Sequence, residues 1–226
     1  MKKLIIIGAS GHGKVIADIA VKNGYEEIFF LDDNVSLTEC AGFPVVGATT
    51  DIEYYADCDV IVAIGNASIR ERIHNELQGY HLVSLIHPDA VISRRVTIEK
   101  GTVVMAGAVI NSDVTIGEGC IVNTCASIDH DCHIGNFVHV SVGSHIAGTV
   151  DVGNRVWIGI GAVVSNNVSI TSDCMLGAGA VIVDNVNIDG TYIGVPAKLI
   201  NRTKVRGGVK HLSHDKKNRP FLGCVA

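Results

Sequence analysis

Between Ile86 and Ile188 the chain keeps a six-residue clock. Stepping by six from Ile86 gives Ile92, Ile98, Val104, Ile110, Ile116, Val122, Ile128, Ile134, Val140, Ile146, Val152, Ile158, Val164, Ile170, Leu176, Ile182 and Ile188, every one β-branched or leucine. The position two residues earlier is small or modest almost throughout, as at Ala90, Ala108, Cys120, Ala126, Cys132, Ser144, Ala162 and Ala180. Residues two apart on a strand share a face, so each hexad sends one bulky and one small side chain into a common interior. Glycine often follows the bulky residue (Gly117, Gly135, Gly153, Gly159, Gly177), where the chain is expected to turn. The repeat predicts a parallel β-coil in which each short strand stacks on its equivalent about 4.8 Å away, satisfying its backbone hydrogen bonds.

Residues 1–84 follow another rhythm. A strand over Leu4–Ile7 is followed by Gly8-Ala9-Ser10-Gly11-His12-Gly13 and a helical stretch from Lys14 to Asn23. A second strand, Ile28–Leu31, ends on Asp32-Asp33; a third, Val60–Ile64, ends on Gly65-Asn66 and leads into a helix carrying Ile69, Ile73 and Leu77. Strands alternating with helices predict a small parallel α/β sheet. All three polar elements follow the C-terminal end of a strand, where ligands bind in open sheets. The glycines would let a phosphate approach N–H groups at a helix N-terminus, and Asp32 stands where an acid meets a ribose hydroxyl. The spacing is GxxGxG rather than GxGxxG, which argues against a dinucleotide cofactor and so against an oxidoreductase. Tight turns without a ligand are the alternative; the convergence of three elements favours a nucleotide or nucleotide sugar.

Composition narrows the field. Of the 226 residues, 47% are apolar but only 5% aromatic, an aliphatic, glycine-rich balance suited to stacked strands. A net charge of −5 argues against nucleic-acid binding, which needs a concentrated basic surface. No apolar run approaches the ~20 residues that cross a bilayer, and the short run after Met1-Lys2-Lys3 ends at Gly8, too soon for a signal peptide. These features predict a cytoplasmic protein, and its seven cysteines, lacking CxxC spacing, are expected to be reduced thiols. From Asn201 a tail (201–226) holds seven Lys/Arg against one acid, Asp215, the composition of a solvated run; contact with phosphates is the sharper alternative.

The densest polar cluster is Asp129-His130-Asp131-Cys132-His133, followed by His139 and His145. A zinc site is the first thought. The register counts against it, placing Cys132 in the small interior slot and the three later histidines in outward slots on three successive faces, so no metal is expected. His130 falls outside both interior slots, near a corner of the coil. Its ordinary pKa suits general-base work, and the adjacent Asp131 could hold its tautomer; a surface histidine beside a solvated acid is the bland alternative. Trp157, the only tryptophan, occupies an outward slot and predicts a subunit interface or a ligand wall.

Taken together, GASGHG, LDD, AIGN, HPDA, IDHDCHIGNFVHVSVGSHIAG and IGVPAK resemble the sugar acetyltransferases grouped with the sialic acid O-acetyltransferases, most closely those that N-acetylate UDP-4-amino-sugars in bacillosamine biosynthesis. The resemblance spans residues 1 to about 200. It implies a Rossmann-like nucleotide-sugar domain (1–84) before a left-handed parallel β-helix (85–200) with three hexads per coil, hence six coils and a prism roughly 29 Å tall. It also implies homotrimers with active sites between neighbouring prisms, and acetyl-CoA as co-substrate. By the same resemblance His130 is the general base and Asp131 stands in place of a glutamate that strengthens it. His139, Ile160 and Ala178 (the last replacing a glycine) contact acetyl-CoA, and the Gly148 N–H lies near the thioester oxygen. In the front domain His12, Gly13, Lys14, Asp32, Asp33, Gly65 and Asn66 match the nucleotide-sugar site.

The expectation is therefore N-acetylation of a nucleotide-linked 4-amino-4,6-dideoxy sugar, UDP-linked for preference. O-acetylation of a sialic-acid-type sugar uses the same scaffold, and a non-catalytic nucleotide-sugar-binding scaffold is the alternative from another class; acetyl-CoA binding separates the last from the first two.

Overall fold

The protein is described by a computed structural model over residues 2–200. The basic tail expected from Asn201 onward, with its suggested phosphate contact, lies outside the described residues. The front region runs β1 (Lys3–Ile7), α1 (Gly11–Lys22), β2 (Glu27–Leu31), β3 (Glu39–Cys40), β4 (Phe43–Gly47), a 3-10 segment (Thr49–Tyr55), β5 (Asp59–Val62), α2 (Ala67–Glu76) and β6 (His81–Leu82). The sheet order is β3-β4-β2-β1-β5-β6, parallel throughout except for β3 against β4. Leu4, Ile5, Ile6 and Ile7 are all buried, the unalternating pattern of a central strand covered on both sides. The strand order reverses beside β1, with β2 on one flank and β5 on the other, so the crevice beyond their C-terminal ends is the expected ligand edge. The three strands and first helix expected from sequence are present, α1 starting at Gly11 rather than Lys14. The two-residue β3 and β6 carry no readable period; their neighbours in space define them.

From Leu85 the chain winds into a left-handed parallel β-helix. Its strands fall in three faces. Face one carries Leu85–Ile86, Val103–Val104, Ile121–Val122, His139–Val140, Trp157–Ile158 and Met175–Leu176. Face two runs from Val91–Ile92 to Val181–Ile182, and face three from Thr97–Ile98 to Ser169–Ile170. Val104 pairs with Val122, Ile110 with Ile128 and Ile116 with Ile134, so one coil is three hexads. The bulky and small slots fill the interior as the clock predicts: Val122, Ala126, Ile128, Ile134, Val140, Ala162 and Ile158 are fully buried, as are Cys120, Cys132 and Cys174. The front domain does not hang free, because Leu4, Ile6, Ile16, Ile19, Phe30 and Ile61 share one cluster with Leu85, Val103, Met105 and Ile121 of face one.

Two expectations need correcting. The clock stops after Ile182: Val186 takes the next inward place, bridging to Ile170, and Ile188 is 60% exposed. Tyr192 then pairs with Leu176, so the last coil is two residues short, and the antiparallel strand Lys198–Leu199 covers it. A terminal coil stacks on one side only and tolerates the shortening. The glycines after the bulky residues, moreover, are not the turning residues. The left-handed conformation falls two positions later, at Gly101, Gly107, Gly119 and Gly143 and equally at Asp113, Cys125, Asp131, Phe137, Thr149 and Arg155. Gly117, Gly135 and Gly159 are instead required by stacking, since a β-carbon on Gly159 would lie 2.4 Å from the Leu176 carbonyl oxygen of the next coil. No helix among the described residues is long and apolar enough to cross a membrane.

Candidate active site

His130 lies on the turn between Ser127–Ile128 of face two and His133–Ile134 of face three. Asp131 follows it in the left-handed region (φ 58°), which folds its carboxylate back so that His130 Nδ1 is 2.7 Å from Asp131 Oδ2. A carboxylate only accepts, so Nδ1 carries the proton and Nε2 of the neutral ring keeps its lone pair. The hydrogen bond that Nδ1–H donates to Asp131, then the charge of Asp129, raises the His130 pKa above its ordinary value. Asp129 is fixed in turn: its Oδ1 accepts from Asn111 Nδ2 at 2.7 Å and from the His130 N–H at 2.8 Å. Gly148, one coil further on, lies under the imidazole; a β-carbon there would sit 2.7 Å from His130 Nε2. Beside this corner a cavity of about 270 Å³ is lined by Asn111, Ser127, Asp129, His145, Ala147 and Val163.

His139 belongs to a second cluster, on face one. Asn123 Oδ1 accepts from the Thr124 N–H at 2.8 Å, which turns Asn123 Nδ2 toward His139 Nε2 at 3.1 Å. Nε2 is therefore the acceptor and Nδ1 bears the proton. Trp157, 37% exposed, packs on the ring with centroids 4.8 Å apart. Burial, then the Arg70 guanidinium and His12, push the His139 pKa down to about 3, and burial with Arg70 pushes His12 to about 4. Both rings are thus neutral donors and acceptors. His139 Nδ1 and His12 Nε2 are buried without a hydrogen-bond partner, which is costly unless something else meets them. The structure brings these two residues of different domains into one neighbourhood.

The remaining front-domain candidates line the strand ends as the sequence implied, and several hold the edge itself. Gly13 admits the Gly8 carbonyl oxygen, which a β-carbon would meet at 2.2 Å. Asp32 Oδ2 accepts from the Ala9 N–H at 2.7 Å, tying the glycine loop to β2, and Asp33 Oδ1 accepts from the Thr49 N–H. Asn66 caps α2 through the Ile69 N–H, and Gly65 offers its carbonyl to Arg70. Lys14 is exposed on the first turn of α1. A smaller cavity of about 240 Å³ separates the start of α2 from face one, lined among others by Asn66, Ser68, His139, Arg155 and Trp157.

The candidate residues do not form one site within one chain. His130, Asp131 and Gly148 share the corner between faces two and three, Ile160 and Ala178 lie on corners between faces one and two, and the front domain covers face one. The corner with His130 is across the prism from the face that meets the front domain. Asn111 and Arg70 were missed from sequence; Asn111 had a signal, standing one 18-residue coil before Asp129, whereas Arg70 reads as an ordinary helix-surface cation. Among the described residues no three His, Cys, Asp or Glu side chains are placed to share a metal ion.

Residues 3–77 match the PglD N-terminal domain and residues 95–130 the bacterial transferase hexapeptide (six repeats). The UDP-N-acetylbacillosamine N-acetyltransferase of Bacillus subtilis (strain 168) is 34% identical over 113 residues, 47% of this chain and 52% of that one, so the match spans about half the length of this curated relative. The acetyltransferase domain of PglB from Neisseria gonorrhoeae FA1090, solved also with acetyl coenzyme A, is 42% identical over 88% of this chain and 100% of its own, with a TM-score of 0.85. PerB from Caulobacter crescentus, solved with CoA and GDP-perosamine, is 36% identical over 89% of this chain and 98% of its own, also with a TM-score of 0.85. The chain belongs to the family of hexapeptide-repeat acetyltransferases that carry a PglD-type N-terminal domain.

Proposed function

We propose that the protein transfers the acetyl group of acetyl-CoA to the amine of a nucleotide-linked 4-amino-4,6-dideoxy sugar, UDP-linked for preference. The observation that carries this reading is the His130–Asp131 pair set against Gly148, in a chain whose relatives are acetyltransferases solved with acetyl-CoA, CoA or GDP-perosamine. His130 Nε2 takes a proton from the sugar amine as its nitrogen attacks the thioester carbonyl. The C–N bond forms, the developing oxyanion is met by the Gly148 N–H, and the C–S bond then breaks, the imidazolium returning the proton to the leaving thiolate. Asp131 holds the Nδ1–H tautomer and favours the imidazolium formed in passing.

Residues 1–84 bind the nucleotide sugar at the strand edge from His12 to Lys14, Asp32 to Asp33 and Gly65 to Asn66. Residues 85–200 carry the chemistry. Because His130 and the front-domain edge lie on opposite sides of one prism, a neighbouring chain completes each site, and a homotrimer provides three such junctions. Acetyl-CoA then runs between prisms, touching His139, Ile160 and Ala178 as well as the corner with Gly148.

The test offers acetyl-CoA with a panel of UDP-, dTDP- and GDP-amino sugars and follows the products by mass spectrometry. A 42-mass-unit gain stable to hydroxylamine, which cleaves esters and spares amides, is the expected result; a hydroxylamine-labile product would move the reading to O-acetylation. No acetyl-CoA binding by calorimetry would leave only a scaffold.

A further inference from the structure

Among the described residues Arg70 is the largest fully buried side chain, 1% exposed, and no carboxylate pairs with it. It stands in the first turn of α2, its N–H bonding the Asn66 carbonyl at 2.9 Å. Helical side chains lean toward the N-terminus, so the guanidinium reaches back over the start of its own helix. There Nη1 donates to the carbonyls of Ile64 at 2.8 Å and Gly65 at 2.9 Å. The other side of the fork donates across the domain boundary, Nε to Gly119 at 2.7 Å and Nη2 to Phe137 at 2.7 Å. Gly119 and Phe137 are equivalent corner residues of successive coils. One planar group thus ties two consecutive carbonyls at the end of β5 to two stacked corners of the β-helix.

We infer that Arg70 is a positioning residue for acetyl transfer: it clamps the Ile64–Gly65–Asn66 turn to the β-helix and so fixes the nucleotide-sugar edge relative to His139. The inference rests on the proposed function for what that edge binds. A buried charge without a counter-ion is an expensive way to fill space, and a residue needed only for packing would be apolar. What an apolar residue cannot supply is a rigid fork with donors aimed at four oxygens in fixed directions, and lysine, a compact point charge with three donors, cannot span them either. The turn held this way is one of the three loops at the ligand edge, and its Asn66 side chain lines the cavity shared with His139 and Trp157. Other links across the boundary, Glu71 to Arg155 at 3.2 Å and His74 to Glu118 at 3.8 Å, join the same helix to the β-helix without touching the turn.

The experiment compares wild type, Arg70→Lys, Arg70→Gln and Glu71→Gln. Expected for Arg70→Lys is a rise in KM for the amino sugar or a fall in kcat on the order of 10- to 100-fold, with KM for acetyl-CoA within twofold, because misplacing a substrate-holding element by about 1 Å is enough for such losses. Amide exchange at residues 64–69 accelerates in both Arg70 variants, and Glu71→Gln leaves kinetics and exchange in the turn unchanged. A lowered melting temperature with unaltered kinetic constants and exchange would reduce Arg70 to a stabilising plug, and Glu71→Gln reproducing the Arg70 effects would make it one of several equivalent tethers; either result overturns the inference. Should Arg70→Gln fail to fold, Arg70→Lys, which keeps charge and stem, carries the test. If wild type acetylates no sugar in the panel, the proposed function fails, while exchange in the turn still decides the clamp.

Discussion

The imidazole of His130 rests against the α-carbon of Gly148, one coil away: a β-carbon on Gly148 would come within 2.6 Å of Cε1 and 2.7 Å of Nε2. Glycine here is a condition for the placement of the His130 ring. Gly148→Ala is expected to swing the exposed ring off its position and lower kcat/KM on the order of 100-fold. The melting temperature should stay nearly unchanged, because a half-exposed side chain moves rather than the backbone. Steady-state kinetics beside calorimetry separates the two.

The hydrogen bond from His130 Nδ1 to Asp131 is the first cause of the raised His130 pKa, with Asp129 second. In the proposed mechanism His130 works only when neutral, so the acid limb of the kcat/KM profile should lie above the ordinary histidine value of about 6.5. Asp131→Asn removes the larger cause, and the limb should move to lower pH while kcat falls roughly tenfold or more. A limb that does not move would mean that some other group titrates there. His130→Ala should lose about 100- to 10,000-fold in kcat at every pH.

His12 and His139 are held neutral by burial, with folded pKa values of about 4 and 3, and His74 is lowered in the same way. The unfolded chain takes up these protons near pH 6.5. Between pH 6.5 and about 4 the unfolded state therefore binds more protons, so stability is fully present above 6.5 and is lost as pH falls. Melting temperature should decline steadily across that window, and His139→Gln should flatten the decline.

In the prism the bulky slot is a stack of interlocked side chains. Ile134 is fully buried between its equivalents Ile116 and Val152. Ile134→Ala should destabilise by about 2–5 kcal/mol, because coils held apart by their own backbone hydrogen bonds cannot collapse into the void. Urea unfolding measures it. A cost below about 1 kcal/mol would show the stack to be looser than its packing implies.

The β-helix was legible because its determinants are local and repeated. A bulky residue every six and a small one two before it fix which side chains face inward, and a slip of one residue would turn every one of them out. That register alone set Cys132 inside and His130 at a corner. It overran at Ile188 because the closing coil is governed by its cap rather than by the repeat. The turning positions were misread for a related reason: glycine at 117, 135 or 159 answers to the backbone of the next coil, a contact 18 residues away in sequence.

The front domain's three strand ends were equally legible, since strands, helices and glycine turns are marked within a few residues. What the tertiary structure alone decided is how these parts meet. Only in the fold do His12 and His139 share a neighbourhood, does Asn123 set a tautomer, and does Arg70 turn from a helix-surface cation into a buried fork. Only there does His130 fall on the far side of the prism from the front domain's strand edge. Sequence determines which residues lie inside or at a turn because periodicity is a local property. Which turn faces which depends on how two surfaces far apart in sequence dock, and no local pattern encodes that.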